Sequence, residues 1–203
     1  MSKLETNTID TVSGTSTLQV GDGNVATINL GKSGDTINVP TGATLTVPSG
    51  GLSGQNYPAF GASVASTQYI TASTWTKIRL NTEILDTNNA YDPTTNYRFT
   101  VPSGQAGKYY ISLDYVVQTD SNNLTYNISG IYKNGTIFKR TDMNSNSTSN
   151  AQFRRFSLNS NIIADLSVGD YIEAFAYASA TSPYMSGDDV EARSFFGAYR
   201  IGA

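Results

Sequence analysis

The chain has 203 residues, a formal net charge of −3, and neither Cys nor His. The acidic balance disfavours a nucleic-acid binder, because neutralising phosphates requires a basic surface. The lack of Cys excludes a disulfide-built module. Without His or Cys, the chain also cannot form a Ser-His-Asp triad, a Cys-His pair or a zinc site of those ligands.

Paired carboxylates are the remaining basis for an enzyme, and glycoside hydrolysis is the class they would serve. Surface loops supply such acids routinely, so we predict that the protein is not an enzyme. No apolar run approaches the length of a membrane-spanning helix. The opening residues, MSKLETN, also lack the apolar core of a secretory signal. We therefore expect no membrane insertion.

A short repeat occupies the region before residue 50. Apolar pairs alternate with polar residues and recur every eight to ten positions, as Leu18/Val20, Ile28/Leu30, Ile37/Val39 and Leu45/Val47. This alternation is typical of short β-strands. Two apolar side chains per copy cannot offset the entropy of ordering the copy. Parallel copies around an axis could do so, which predicts an oligomeric stalk; the alternative is a linker.

The segment GLSGQNYP at 51–58 reads as a hinge, and after it aromatic residues become frequent. Strand-like runs then alternate with turn residues, at Ala59–Ala65, Thr74–Leu80, Tyr97–Val101, Lys108–Val117, Thr125–Lys133, Thr136–Arg140, Gln152–Ile163, Tyr171–Ala178 and Ser194–Ile201. This spacing favours an antiparallel sandwich or jelly roll. Asn134-Gly135 between two runs is a strong hairpin signal.

We therefore predict an all-β chain of three parts. Residues 1–25 form an attachment segment, residues 26–55 form the β-repeat stalk and hinge, and residues 56–203 form a jelly-roll head. Within the head, the run Lys108–Val117 alternates between two faces. One face is apolar and predicts core: Tyr109, Ile111, Leu113 and Tyr115. The other face mixes aromatic, aliphatic and polar groups, as subunit interfaces do: Tyr110, Ser112, Asp114 and Val116.

Three Asn- and Ser-rich turns, at 120–123, 144–150 and 183–189, are candidates for ligand binding. Loop tips with adaptable hydrogen-bonding groups suit sugars. The residues selected are Asn122, Asn123, Asn144, Asn146 and Tyr184. The alternative is that these are solvated loops without a ligand.

The segment SGDDVEA at 186–192 is the densest acidic cluster of the chain. Asp188 and Asp189 supply carboxylate oxygens of the kind that Ca²⁺ takes as ligands. The segment lacks the regular spacing of a calcium loop, so a solvated loop is the alternative. Ca²⁺ is the only cofactor that the sequence indicates.

The region after residue 58 resembles the C1q/TNF-like jelly roll along most of its length. The similar segments, in the order of that family, are AFGASVA at 59–65, the Tyr-Asp, Phe-Thr-x-Pro and Gly-x-Tyr-Tyr motifs within 88–115, IYKNG at 131–135, LSVGDYIEAFA at 166–176 and SFFGAYRI at 194–201. The resemblance implies a ten-stranded jelly roll that assembles as a homotrimer. It places Phe195 toward the three-fold axis, and it implies Ca²⁺ binding by the loop before the last strand, here 186–191.

The opening stretch, MSKLETNTIDTVSGTSTLQVGDGNVATINL, resembles the starts of structural proteins from marine bacteriophages. A three-fold stalk and a three-fold head share one symmetry. Together the two resemblances imply a virion protein, a homotrimeric tail or capsid fibre. Its N-terminus would dock on other virion proteins, and its head would bind a host-surface glycan or outer-membrane component. The alternatives are a purely structural decoration protein and a glycan-binding C1q-like lectin. The expected location is the virion, after synthesis in the host cytoplasm.

Overall fold

A computed structural model of the chain describes residues 36–44, 57–145, 153–187 and 193–202. The chain divides into two units, Met1–Ser49 and Gly50–Ala203. The described part of the second unit consists of strands and the turns between them, which is the all-β class predicted from the sequence. Over the described ranges, no helix is long and apolar enough to cross a membrane.

The described residues form thirteen strands. They are β1 (Ala59–Ser63), β2 (Gln68–Tyr69), β3 (Thr76–Lys77), β4 (Thr82–Asp86), β5 (Tyr91–Asp92), β6 (Arg98–Thr100), β7 (Gly107–Gln118), β8 (Tyr126–Lys133), β9 (Thr136–Asn144), β10 (Arg155–Leu166), β11 (Tyr171–Ser179), β12 (Tyr184–Met185) and β13 (Phe195–Gly202). Each of the nine predicted runs overlaps one of these strands. The sequence missed β2, β4, β5 and β12, and three of these have only two residues, too few for an alternation to show.

The strands form two antiparallel sheets. In sheet A, β7 pairs with β10 along one side and with β13 on the other, and β1 and β4 follow β13. The short strand β12 pairs with the end of β7 and carries β2. Sheet B has the order β5-β6-β11-β8-β9, with β3 also paired to β11. Most neighbours in a sheet are distant in sequence, which is typical of jelly rolls.

The core lies between the two sheets. The predicted inward face of β7 is buried, with each of its four residues at most 1% exposed: Tyr109, Ile111, Leu113 and Tyr115. An aromatic cluster around Phe60 joins the first strand of the domain, β1, to the last one, β13. The Phe60 ring stacks on Tyr91 and Phe99 at 4.8 and 4.9 Å between centroids, and it meets the edge of Phe196 at 5.2 Å. Such rings bury large apolar areas and prefer these geometries.

Buried hydroxyl groups link the two sheets. The Tyr115 hydroxyl on β7 donates to the Ile128 carbonyl on β8 at 2.8 Å and also contacts Asn127. Burial raises the pKa of the Tyr115 phenol, so it remains a donor. Ser160 on β10 lies 2.5 Å from Ser129 on β8, oxygen to oxygen. These bonds fix the register between sheets, because a slipped strand would leave buried polar atoms unpaired.

The hairpin between β8 and β9 is confirmed, with φ of 52° at Asn134 and 77° at Gly135. Two consecutive left-handed residues are the conformation that favours Asn-Gly. The hairpin is tied to the turn before β11 by Asp170. Its carboxylate accepts hydrogen bonds from Asn134 Nδ2 at 2.7 Å and Ser167 N at 2.8 Å, and it pairs with Lys133 Nζ at 2.8 Å. Burial alone would raise the pKa of Asp170, but these bonds lower it to about 2.

Replacing Asp170 with Asn is expected to lower the free energy of unfolding at pH 7 by about 1–2 kcal/mol. A carboxyl group with a lowered folded pKa stabilises the fold above its unfolded value near 3.8, and this stabilisation is lost as the pH falls toward 2. The difference between wild type and D170N in urea unfolding should therefore close between pH 4 and pH 2. The control D165N removes an 81% exposed carboxylate and should change stability by less than about 0.5 kcal/mol. A difference that persists at pH 2 would contradict this account.

In the first unit, one predicted repeat copy falls within the described residues. Ile37 and Val39 form no strand, and their side chains are 64% and 41% exposed. A turn follows, closed by a hydrogen bond from Ala43 N to the Pro40 carbonyl at 3.0 Å. Within the described residues the side chains of Ile37 and Val39 therefore stay largely in solvent. The attachment segment 1–25 and the other three copies lie outside the described residues, so the stalk remains a prediction.

Candidate functional site

The outer face of sheet A, which points away from the core, carries a strip of apolar side chains. This strip consists of Ile84, Leu85, Tyr110, Phe195 and Tyr199, and we call it the sheet A strip. The pairing of β7 with β13 sets Tyr110 opposite Tyr199, with 5.5 Å between their ring centroids. Leu85 and Ile84 on β4 are 50% and 55% exposed. Together the five residues border a shallow hollow of about 310 Å³.

Two glycines make room for the Phe195 ring on this face. Gly61 on β1 pairs with Gly197 on β13, and the Phe195 ring lies beside both. A Cβ atom at Gly197 would lie 2.7 Å from Phe195 Cζ and 2.9 Å from the Phe60 carbonyl oxygen. A Cβ at Gly61 would lie 3.0 Å from the same ring. The absence of side chains at this pair therefore lets the ring lie against the sheet, where it keeps one side free.

The three residues predicted for a trimer interface all lie on the outer face of sheet A. Tyr110 and Phe195 belong to the sheet A strip. Val116 lies farther along β7 and is half-buried, with Ser157 of β10 opposite it. Between Tyr110 and Val116 the outer face of β7 is polar. There Asp114 is hydrogen-bonded to Asn159 on β10. Sequence analysis missed Ile84, Leu85 and Tyr199.

Four of the five residues predicted to bind a ligand lie at one end of the jelly roll. Asn122 and Asn123 follow the end of β7, Asn144 ends β9, and Tyr184 opens β12 beside Gln118. The Tyr184 hydroxyl donates to Asp120 at 3.2 Å, and Asn123 Oδ1 is buried without a hydrogen-bond partner in the described part of the chain. We call this the distal end. Asn146 lies outside the described residues.

The chain enters the jelly roll at the opposite end. The Pro58 carbonyl accepts a hydrogen bond from Arg200 N near the end of β13, and β13 ends beside the start of β7. The Asn134 hairpin and Asp170 lie at this end as well. The candidate loops are therefore on the far side of the domain from its first described residue.

The predicted Ca²⁺ ligands Asp188 and Asp189 lie outside the described residues. The residues just before them are described, and there Gln118 on β7 is hydrogen-bonded to Ser186. Within the described ranges, no three acidic side chains converge in a way that could hold a metal ion. Ca²⁺ binding therefore remains a prediction for the 186–191 loop.

The two-sheet architecture defines an antiparallel jelly roll, and comparison with solved structures makes this more specific. The Eiger TNF of S. frugiperda matches with a TM-score of 0.51 and 11% identity, over 71% of this chain and 92% of that chain. The globular domain of zebrafish complement 1qA gives 0.48 and 14%, over 71% and 98%. Murine APRIL gives 0.49 and 13%, over 70% and 97%.

The described domain therefore has the C1q/TNF-like jelly-roll fold, an assignment that rests on the match to Eiger TNF. At 11% identity the likeness shows the fold alone. No protein-family model and no curated protein sequence matches the chain. The predicted head fold is thereby confirmed.

Proposed function

We propose that the chain forms a homotrimer through the sheet A strip. C1q/TNF-like domains are typically homotrimeric, and the strip supplies the apolar surface that an interface requires. Its residues come from β4, β7 and β13 of one sheet and border one hollow, unlike the single exposed apolar residues that any soluble protein carries. The exposed strip is the observation that carries the proposal. Its aromatic rings suit an interface, where large rigid side chains contribute most of the binding energy.

A closed ring of three copies needs two different surfaces, because each copy contacts the next one head to tail. The edge strand β9 offers the second surface. Ile137 and Phe138 are exposed near the start of β9, at 40% and 42%. The register shifts by one residue at Phe138, so neighbouring apolar residues on this edge both reach solvent. We propose that this edge of one copy packs beside the sheet A strip of the next.

We further propose that the trimer is the head of a bacteriophage virion fibre, not an enzyme. The support is the likeness of residues 1–30 to openings of marine phage structural proteins, together with the trimeric fold class of the head. The N-terminal segment would dock on other virion proteins, and the repeat would order as a stalk when three copies run in parallel. Synthesis would take place in the host cytoplasm, and the assembled protein would be part of the virion.

The distal end would meet the host surface, and a glycan or outer-membrane component is its proposed partner. Three heads per fibre raise the effective concentration, so weak single-site binding becomes useful. At this end the exposed Asn122 and Asn144 offer hydrogen-bonding groups, and the half-buried Tyr184 offers an aromatic ring on which a sugar can stack. A purely structural decoration protein would have the same fold and no ligand at these loops.

We expect the full chain to bind members of a bacterial glycan array, and the double variant N122A/Y184A to lose at least about tenfold in binding. The control S103A changes an exposed turn at the opposite end and should bind like wild type. Equal loss in both variants, or no binding by a wild-type trimer, would favour the structural decoration role. Binding by the head without any association of the full chain with virions would favour a free lectin.

A further inference from the structure

We propose that a polar hollow on the flank of the jelly roll binds an oxyanion, a carboxylate or sulfate, either free or carried by an acidic saccharide. The hollow has a volume of about 200 Å³. It is lined by Ser66, Thr67, Gln68, Arg79, Asn81 and Tyr97, and we call it the Arg79 pocket. It lies within a single copy, so the inference requires neither the trimer nor a virion role.

The positive charge among the lining residues favours an anionic ligand. Arg79 is the only charged residue among these six described lining residues, and none of the six is a carboxylate. Its neighbours Ile78 and Leu80 are fully buried, so Arg79 points outward, and it forms no ion pair within the described residues. Lys77, two residues earlier, is by contrast paired with Glu173 at 2.5 Å. An uncompensated guanidinium presents a planar fork of donors that matches a carboxylate or sulfate.

The other polar groups of the pocket are mostly free donors. The hydroxyls of Ser66 and Thr67 have no partner within the described parts of the chain. Asn81 Oδ1 accepts a hydrogen bond from Ala65 N at 3.0 Å, so its free group is the NH₂ donor. Oxyanions are acceptors only, and this surplus of donors around one positive charge suits them. Among the described lining residues, a cation would find no anionic ligand.

The pocket is held rigid from below by the buried side chain of Gln68. Its Nε2 donates to the Lys77 carbonyl at 2.7 Å, and its Oε1 accepts from Arg79 N at 2.9 Å. These bonds fix the Arg79 backbone against β2. Tyr97, which also lines the pocket, has a φ of 50°, a left-handed conformation that is uncommon for a bulky residue. A rim that is already fixed before binding loses little conformational freedom to its ligand.

The test is an amide NMR titration of the ¹⁵N-labelled full chain at constant ionic strength. The probes are sodium sulfate, methyl glucuronide and, as the neutral match, methyl glucoside. We expect saturable shifts at the Ser66 and Thr67 amides with both anions and none with the glucoside. R79Q should weaken both by about tenfold or more, as loss of a charged hydrogen bond predicts. The control R155Q removes the same charge from an exposed arginine of β10, three strands away, about 14 Å along the sheet.

Saturable binding of sulfate without the glucuronide would support the site and assign it to a free oxyanion. Binding of both would support an acidic saccharide as the ligand. Three results would overturn the proposal: shifts that never saturate, equal weakening by R79Q and R155Q, or glucoside binding as strong as that of the glucuronide. Because Arg79 is exposed, unchanged amide positions elsewhere in R79Q will show that the variant is folded.

Discussion

Replacing Leu85 with Asp is expected to convert the trimer to monomers, so that the mass in solution falls from about 65 kDa to the 21.7 kDa of one chain. Leu85 is 50% exposed on the edge strand β4, so the single copy should fold with Asp at this position. In the proposed trimer the same residue is covered by the next copy. An unpaired carboxylate buried there costs several kcal/mol, and the cost is repeated at each of three equivalent contacts.

The matched control for L85D is V168D. Val168 is 52% exposed in the turn between β10 and β11, at the end where the chain enters the domain, and it is not part of the sheet A strip. This variant should remain trimeric. Light scattering and circular dichroism measured together separate dissociation from unfolding. A trimeric L85D, or dissociation of both variants, would mean that the strip is not the interface.

Replacing Gly197 with Ala is expected to lower the free energy of unfolding by about 1–3 kcal/mol, the usual cost of overpacking. The added methyl group would lie 2.9 Å from the Phe60 carbonyl oxygen, and relieving this contact requires β1 to move. It would also lie 2.7 Å from Phe195 Cζ, so the ring must leave the glycine pair. The variant should therefore also weaken the trimer, because Phe195 is part of the sheet A strip.

Gly202→Ala is the control on the same strand. A Cβ atom at Gly202 has no heavy atom within 4 Å, so its effect on stability should stay within about 0.5 kcal/mol. Both variants should be unfolded in urea at one fixed protomer concentration, since the apparent stability of a trimer depends on concentration. Equal stabilities of the two variants would show that the Gly61–Gly197 pair does not hold the Phe195 ring in place.

The fold could be predicted where local pattern and tertiary environment agree. Burial alternates strictly along residues 108–117, because β7 is central in sheet A and turns one face to the core. Strand β4 could not be predicted in this way. Its adjacent residues Ile84 and Leu85 break the alternation, and both are exposed because a register shift interrupts the pairing of this edge strand with β1.

The candidate site was predictable in part for the same reason. The two-residue period of a strand places Tyr110 and Val116 on the outer face of β7. The same period along SFFGAYRI places Tyr199 on the same face as Phe195, but Tyr199 was not among the predicted interface residues. The Arg79 pocket gave no local signal. Its six residues come from three separated segments, and only the packing of those segments brings them together. The loop with Asp188 and Asp189 lies outside the described residues, so the Ca²⁺ prediction stands untested.

The central claim is that three copies assemble through the sheet A strip, and the mass of the purified full chain tests it most directly. Static light scattering should give about 65 kDa, three times the 21.7 kDa of one chain, over a wide range of protein concentrations. The same measurement with a chelator will show whether Ca²⁺ contributes to the assembly. A stable 21.7 kDa monomer at all concentrations would contradict the trimer, and with it the stalk and the fibre.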